Sequence, residues 1–347
     1  MADRLRFGLI GSGGQGRYLS EGAAATGMAD LVACADPKPA ATDLAVKFCG
    51  YQRAYQDAAE MLAKEDLDAV IVATIHDQLQ PLAMAAVKAG KHVFVEKPMA
   101  LTAKDGRQLV AAARKAGVRL MVGYTLRFLP DRILMKKLIA EGAIGDVVHV
   151  IGGQMIGNMG GWLGEKAHGG GPMFYIGSHI TDTVLWVAGK KVVRVFAEEE
   201  RPEAKGVEKS LFITLRFTDG AIAQVSTSQR IGGRYGWVDV LGTAGRLRAE
   251  WESNFLQIQS AKMDAYRELT SIRVPAAAYM PPFAPDARMS FAGSAYVRYW
   301  AAEFVEFVKA IRENREPSVN GEDAVRVLEV ADAAFESART GKSVEVR

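Results

Sequence analysis

"LRFGLIGSGGQG", residues 5 to 16, is the stretch on which the fold turns. An apolar run stops at Gly11, and Gly11, Gly13 and Gly16 follow in G-x-G-x-x-G spacing. Between a strand and a helix, such glycines have three separate jobs: a tight turn, backbone approach to a pyrophosphate, and close packing of helix on strand. The first amides of the following helix then face an anion. Gly14 and Gln15, inside the turn, join Gly11, Gly13 and Gly16 as candidate cofactor contacts. By itself the spacing is ambiguous, because a glycine-rich turn can serve packing alone.

The segments that follow remove the ambiguity. "ADLVACAD" (29 to 36), "DAVIVAT" (68 to 74), "HVFVEK" (92 to 97) and "RLMVGY" (119 to 124) are short apolar runs like the first. Runs of this kind suit parallel strands buried on both faces. "AAEMLAKEDL" and "LAMAAVKAGK" between them have helical spacing, the second closed by Gly90 as a C-cap. This is the alternation of a doubly wound α/β sheet. The second strand ends in Asp36, about 20 residues past the glycines, where a carboxylate accepts hydrogen bonds from an adenosine ribose. An acid there favours NAD over NADP, since it repels a 2′-phosphate; Lys38 weakens that preference. Asp36 also suits a turn before Pro37, and the two roles are compatible.

The pattern changes after "LRFLPDRILMKKLIAEGAIGD", read as a helix closing the first domain. "DVVHVIGGQM", "VVRVFAEEE", "EKSLFITLRFTDG", "AIAQVSTSQR" and "WVDVLGTAGRLRAEW" are longer strands, some alternating, with "TDG" as a hairpin turn. Alternation implies a sheet with one buried face and one available face. Two helices separated by Pro317 close the chain, the last ending before Gly341. Residues 273 to 291, rich in Pro and Ala, are expected to form a long loop, an arm or a lid.

A chain of 347 residues exceeds the usual single core, so two domains are expected. With 49% apolar and 24% charged residues the composition is globular, and a net charge of +3 from scattered residues leaves no nucleic-acid footprint. No apolar run reaches the 18 or so residues of a membrane span, and no signal-peptide pattern precedes the first strand, so no membrane association and a cytoplasmic location are expected. Cys34 and Cys49 lack ligand spacing and read as reduced core thiols. The histidines in "AHGGG" and "GSHITD" form no metal-ligand pattern, so no metal is expected. Nothing resembles a G-x-S-x-G hydrolase elbow.

Glu96, Lys97 and Pro98 stand at the end of a predicted strand, where an open α/β sheet faces its ligand crevice. A lysine there can hydrogen-bond a substrate hydroxyl or carbonyl and stabilise a developing oxyanion. A Glu-Lys-Pro elsewhere is usually a surface turn; its place after this series of strands is what gives it meaning.

Here the chain resembles the glucose-fructose oxidoreductase, inositol 2-dehydrogenase and MocA family of NAD(P)-dependent oxidoreductases. The resemblance spans nearly the whole chain: "GLIGSGGQG", "ADP" (35 to 37), "AGKHVFVEKPMALT", "VGYTLRFLP", "LIAEGAIGDV", "GGGPMFYIGSHITD", "LGTAGRL" and "SARTGKSVEV". It implies a Rossmann domain, here 1 to 123, and a C-terminal α/β domain, here 124 to 347, with an open, predominantly antiparallel sheet for substrate binding and oligomerisation. The closing helices are free to pack back on the first domain. A homodimer or homotetramer through that sheet follows, with a small sugar or polyol as substrate. The implied chemistry is hydride transfer between a carbinol carbon of a sugar, cyclitol or related ring and the nicotinamide. Lys97 matches the family's catalytic lysine, with a cis bond to Pro98 as in many relatives, and His179 its catalytic histidine.

The departures carry as much information. The family's G-G-G-x-x-x-D-x-G-x-H reads here with Tyr175 in place of the aspartate. In a helix over 175 to 188, Tyr175 and His179 would share a face. A phenol can orient a histidine but, unlike a carboxylate, brings no negative charge to it. Tyr175 is thus a third candidate for proton transfer or substrate contact. The family's "T-P-N-x-x-H" is "TIHDQL" here, placing Thr74 and His76 near the nicotinamide end and Leu79 where a histidine is usual. With Glu96 and Lys97 these complete the candidate cofactor set. Tyr124 and Arg127 match a segment that lines substrate sites, Arg127 being equally suited to a structural ion pair; His168 and Trp162 are further candidates for substrate contact. Two other readings stay open: a lyase or glycosidase-type reaction with retained NAD that uses Tyr175, and a non-catalytic NAD-dependent sensor.

Overall fold

The computed structural model describes residues 4–157, 159–201, 206–251, 253–280, 282 and 296–346. Two compact units form, Met1–Thr125 with Met280–Val325, and Leu126–Tyr279 with Arg326–Arg347.

The first unit is built on β1 (Leu5–Ile10), α1 (Gly14–Ala25), β2 (Ala29–Ala35), α2 (Pro39–Cys49), β3 (Arg53–Tyr55), α3 (Ala58–Lys64), β4 (Ala69–Val72), α4 (His76–Lys88), β5 (His92–Val95), α5 (Ala103–Ala116) and β6 (Leu120–Val122). Its six strands run in the order β3-β2-β1-β4-β5-β6, and every pairing is parallel. That is the doubly wound order whose direction switches between β1 and β4, and ligands bind beyond the strand ends at such a point. β4 is buried along its whole length, as a strand covered on both faces must be. The expected helix end at Gly90 shifts by one residue: Ala89 is the cap, and Gly90, at φ +73°, is the left-handed residue after it. Edge strand β3 is too short for its pattern to be read from sequence.

The second unit opens with α6 (Pro130–Ala140) and continues through β7 (Val147–Ile156), α7 (Ser178–Ala188), β8 (Val192–Glu200), β9 (Ser210–Phe217), β10 (Ile222–Ser228), β11 (Arg234–Gly242), β12 (Gly245–Glu250), β13 (Phe255–Ser260) and β14 (Thr270–Arg273). Helix α8 (Tyr296–Arg312) belongs to the first unit, where Trp300 stacks on Tyr18 of α1 with ring centroids 5.3 Å apart. Helix α9 (Gly321–Thr340) and β15 (Val344–Glu345) follow. The nine strands run β14-β13-β12-β11-β7-β10-β9-β8-β15, and of these pairings only β7 with β10 is parallel. The helix expected to close the first domain is α6, and it lies in the second unit because Met135 and Leu138 join that unit's core.

Alternation sets the two faces of this sheet. Val195, Ala197, Leu211, Ile213, Val238, Val240, Leu256 and Ile258 point into one core with Val184 and Val187 of α7 and Ala331 and Ala334 of α9. The residues between them, Phe196, Phe212, Tyr235 and Phe255, lie on the opposite, exposed face. Gly152 of β7 lets α7 lie close, since a Cβ there would come within 2.7 Å of Val184 and 2.9 Å of Ile180. Of the loop expected at 273 to 291, residue 281 and residues 283–291 lie outside the described residues; the described part holds a short 3-10 turn, Ala276–Ala278.

Candidate active site

In the first unit the glycine turn joins β1 to α1. Gly11 takes φ +92°, and a Cβ there would lie 2.4 Å from the carbonyl oxygen of Ala73. At Gly16 a Cβ would lie 2.0 Å from the carbonyl oxygen of Gly11, so this glycine lets helix and strand meet. Gly13 and Gly14 differ: a Cβ on either would meet nothing within 4 Å. They face open space at the N-terminus of α1, a 12-residue helix with no side-chain cap and no acid in its first turn. The free first-turn amides and the missing Cβ atoms together fit a pyrophosphate.

Asp36 stands beside this turn. Its Oδ2 accepts the backbone N–H of Ser12 and its Oδ1 that of Lys38, both at 2.9 Å. The carboxylate is thereby fixed against the glycine turn, with lone pairs left over for ribose hydroxyls. Both the turn role and the ligand role foreseen for Asp36 are therefore compatible with one conformation. These residues fit an NAD-type dinucleotide.

Three further strand ends reach the same crevice. Thr74, after β4, is half-buried, and its Oγ1 donates to the carbonyl of Ile75 at 3.2 Å. His76 is the first residue of α4 and is buried rather than on a solvated loop. After β5 come Glu96 and Lys97, both buried, with Lys97–Pro98 cis. Gln15 Nε2 donates to Glu96 Oε1 at 2.8 Å, tying the lysine's end of the sheet to the glycine turn. Glu96 Oε2 accepts the N–H of Lys97 at 3.0 Å. Burial pushes the Glu96 carboxyl up, and Lys97 and Gln15 oppose this. Tyr124, just past β6, is fully buried. Beside it lies a group the sequence did not reveal. Glu303 of α8 is fully buried, accepts only Thr125 Oγ1 at 3.3 Å, and has no partner for Oε1 among the described residues. Burial first, then the charge of Glu96, holds this carboxyl well above the ordinary range.

The second unit presents the other candidates. Trp162 lies half-buried in a 3-10 turn, and His168, in the next, pairs with Glu165 at 3.6 Å. The expected helix over 175 to 188 is α-helical only from Ser178; Met173–Gly177 form a π turn. Tyr175 therefore sits in a wider turn than His179, and α-helical spacing does not describe their relation; π turns in helices often mark functional positions. Both side chains are half-buried. Arg127 realises its structural alternative: Nε and Nη2 donate to the two carboxylate oxygens of Asp182 on α7 at 2.8 and 2.5 Å, and its guanidinium lies 5.6 Å from the Trp186 ring.

Gln154 was also missed. Alternation puts it on the face of β7 that carries Gly152 and α7, 1% exposed, and neither amide atom has a partner among the described residues. Its neighbour on β10 is Thr227, whose Oγ1 lies 3.4 Å from the carbonyl of Pro172 at the start of the π turn. A polar residue at an inward position of a strand was the available signal. Among the described residues no three His, Cys, Asp or Glu side chains gather as a metal site would require, and no helix is long and apolar enough to cross a membrane.

Comparison with known proteins accords with both halves. A family profile described as an oxidoreductase family, NAD-binding Rossmann fold, matches residues 5–124, and its C-terminal alpha/beta domain matches 136–346. The chain is 28% identical over 360 residues to inositol 2-dehydrogenase of Rhizobium meliloti, covering 99% of each. It is 28% identical over 305 residues to 1,5-anhydro-D-fructose reductase of Ensifer adhaerens, covering 86% of this chain and 85% of that one. A solved levoglucosan dehydrogenase in complex with NADH and levoglucosan superposes with TM-score 0.89 at 26% identity, covering 99% of this chain and all of that one.

Proposed function

Since this chain belongs to the Gfo/Idh/MocA oxidoreductase family and is an NAD-dependent oxidoreductase, we propose that it interconverts a secondary alcohol and a ketone on a sugar, cyclitol or related polar ring, with Lys97 and His179 handling the proton. The observation that carries this is the Gln15–Glu96 hydrogen bond, which ties the buried Lys97 end of β5 to the glycine turn. Bound NAD supplies hydride acceptance or donation. The first unit has the nucleotide-binding role: Gly11, Gly13, Gly14, Gln15 and Gly16 around the phosphates, Asp36 at the ribose, and Thr74, His76 and Glu96 toward the nicotinamide.

The second unit has the substrate role. His179 removes the hydroxyl proton in the oxidative direction, and Lys97 hydrogen-bonds a substrate oxygen and stabilises developing charge on it. Tyr175 holds a substrate oxygen or orients His179 without adding charge. Gln154, a buried amide beside the π turn, is matched to ring hydroxyls because each of its polar atoms needs a partner. Tyr124, Trp162 and His168 line the substrate, and Arg127 braces α7 through Asp182. Self-association as a dimer or tetramer is assigned to the open sheet face, where Phe196, Phe212 and Phe255 are exposed.

The test is a sugar and cyclitol panel with NAD, followed by absorbance of NADH, on the native chain and on Lys97→Ala. Net NADH formation is expected with at least one ring polyol, which a retained-NAD lyase or a sensor would not give. Lys97→Ala should keep the NAD Kd and lose about 10²- to 10⁴-fold in kcat. Full turnover in that variant would remove Lys97 from the mechanism.

A further inference from the structure

Glu208 lies just ahead of β9 and is 2% exposed. Its Oε1 accepts the backbone N–H of Met173, the first residue of the π turn, at 3.0 Å. Gly171 makes room for it: at φ +103°, a Cβ on this residue would lie 2.6 Å from both carboxyl oxygens. The last glycine of the triplet therefore exists, at least in part, to admit this carboxyl. The main chain of Glu208 is anchored as well, its carbonyl accepting Gln229 Nε2 at 3.3 Å. A buried carboxylate thus grips the backbone two residues before Tyr175 and six before His179.

We propose that Glu208 is a positioning residue for the reaction: its carboxylate holds the Met173–Gly177 turn in place, and loss of its charge loosens the turn that presents Tyr175 and His179. The consequence for catalysis rests on the function proposed above; the grip on the turn does not.

Burial pushes the Glu208 carboxyl up to about 7, against the lowering effect of the Met173 and Glu208 amides and of Arg201. It therefore changes charge near neutrality. Its charged neighbours come from the end of β8. Glu199 raises it and Arg201 lowers it, and these two pair with each other at 2.8 and 2.7 Å, Arg201 also donating to the carbonyl of Gly206 at 2.6 Å. Glu200 pairs with Arg230 at 3.2 Å, and β10 otherwise offers the neutral Ser228 and Gln229. An ionised carboxylate is the stronger acceptor for the Met173 N–H. The turn is held tighter above about pH 7 than below it.

The experiment is a pH titration, from 5.5 to 8.5, of the full chain labelled with 15N-methionine, the Met173 amide being assigned by its loss in Met173→Leu. In the native protein the Met173 amide should shift with a midpoint near 7; in Glu208→Gln, which keeps size and an acceptor oxygen, that step should vanish. A Met173 amide that does not titrate, or that titrates alike in Glu208→Gln, overturns the proposal. The first of these outcomes needs only Met173→Leu to fold, a swap of apolar side chains of similar volume. In parallel, native kcat should rise several-fold across the same range at unchanged NAD Kd, and that rise should be smaller in Glu208→Gln. A rise that persists unchanged in Glu208→Gln belongs to another group and overturns the catalytic consequence. Absence of turnover with every polyol would instead refute the proposed function and leave the amide titration to decide on Glu208.

Discussion

Gly13 and Gly16 sit three residues apart in one motif, yet the structure gives them opposite roles, and alanine at each separates cofactor binding from packing. At Gly16 a new Cβ would lie 2.0 Å from a backbone oxygen, and the backbone has to move. Overpacking of this kind destabilises by about 1 to 3 kcal/mol, or a fall in Tm of roughly 3 to 10 °C for a unit of this size. At Gly13 the Cβ meets nothing in the protein, and φ −64°, ψ −173° is open to alanine. Two small terms remain in Gly13→Ala, a weaker N-cap and a less flexible unfolded chain, and they oppose each other within about 1 kcal/mol. Its Tm should therefore stay within about 3 °C of native. The same Cβ would project into the space assigned to the pyrophosphate, and a clash of about 1 to 3 kcal/mol weakens NAD binding roughly 5- to 150-fold. Thermal melts without cofactor and calorimetric titration with NAD measure both effects. Native NAD affinity in Gly13→Ala would mean that the phosphates do not lie on this turn, and a native Tm in Gly16→Ala would mean that helix and strand are not in close contact there.

Three further variants probe the rest of the site. Arg127→Met removes the guanidinium from its buried ion pair with Asp182 and should destabilise by about 3 to 5 kcal/mol in chemical denaturation, with Arg127→Met/Asp182→Leu recovering most of it; a single variant at native stability would show that the pair is not buried in solution. Glu303 is held well above its ordinary value of 4.5, so the folded state binds more protons than the unfolded chain above that pH and loses stability as pH rises from there. Glu303→Gln removes this dependence, and its Tm gain over native should be larger at pH 8 than at pH 5; equal gains would argue against a carboxyl held above its ordinary value. Tyr175→Asp adds a negative charge four residues before His179, and, if His179 is the proposed base, the acid limb of the kcat/KM profile should move to higher pH; an unmoved limb would place residue 175 outside the reach of His179.

Much of this is legible in the sequence. The parallel sheet was visible because buried strands are apolar throughout, and the open sheet because its strands alternate. The glycine turn and Asp36 were legible because a dinucleotide constrains local geometry, and local geometry is written in consecutive residues. The short edge strands β3, β14 and β15 were not, since two to four residues carry no period. The π turn at Met173–Gly177 was invisible for a related reason: α and π turns want the same side chains.

By itself the sequence determined the fold class and the NAD-binding character of the first unit, and it named Lys97, Tyr175 and His179 as the residues in question. The tertiary structure alone decided which polar groups are buried and what they meet. Glu208 reaches Met173 across 35 residues and Glu303 lies near Glu96 from a helix 200 positions later. Gln154 is buried on a strand whose neighbour at that position, Thr227, comes from β10. Desolvation and the pairing of buried charges are properties of such long-range neighbourhoods, so no local motif encodes them, and they set the charge states on which the proposed chemistry depends.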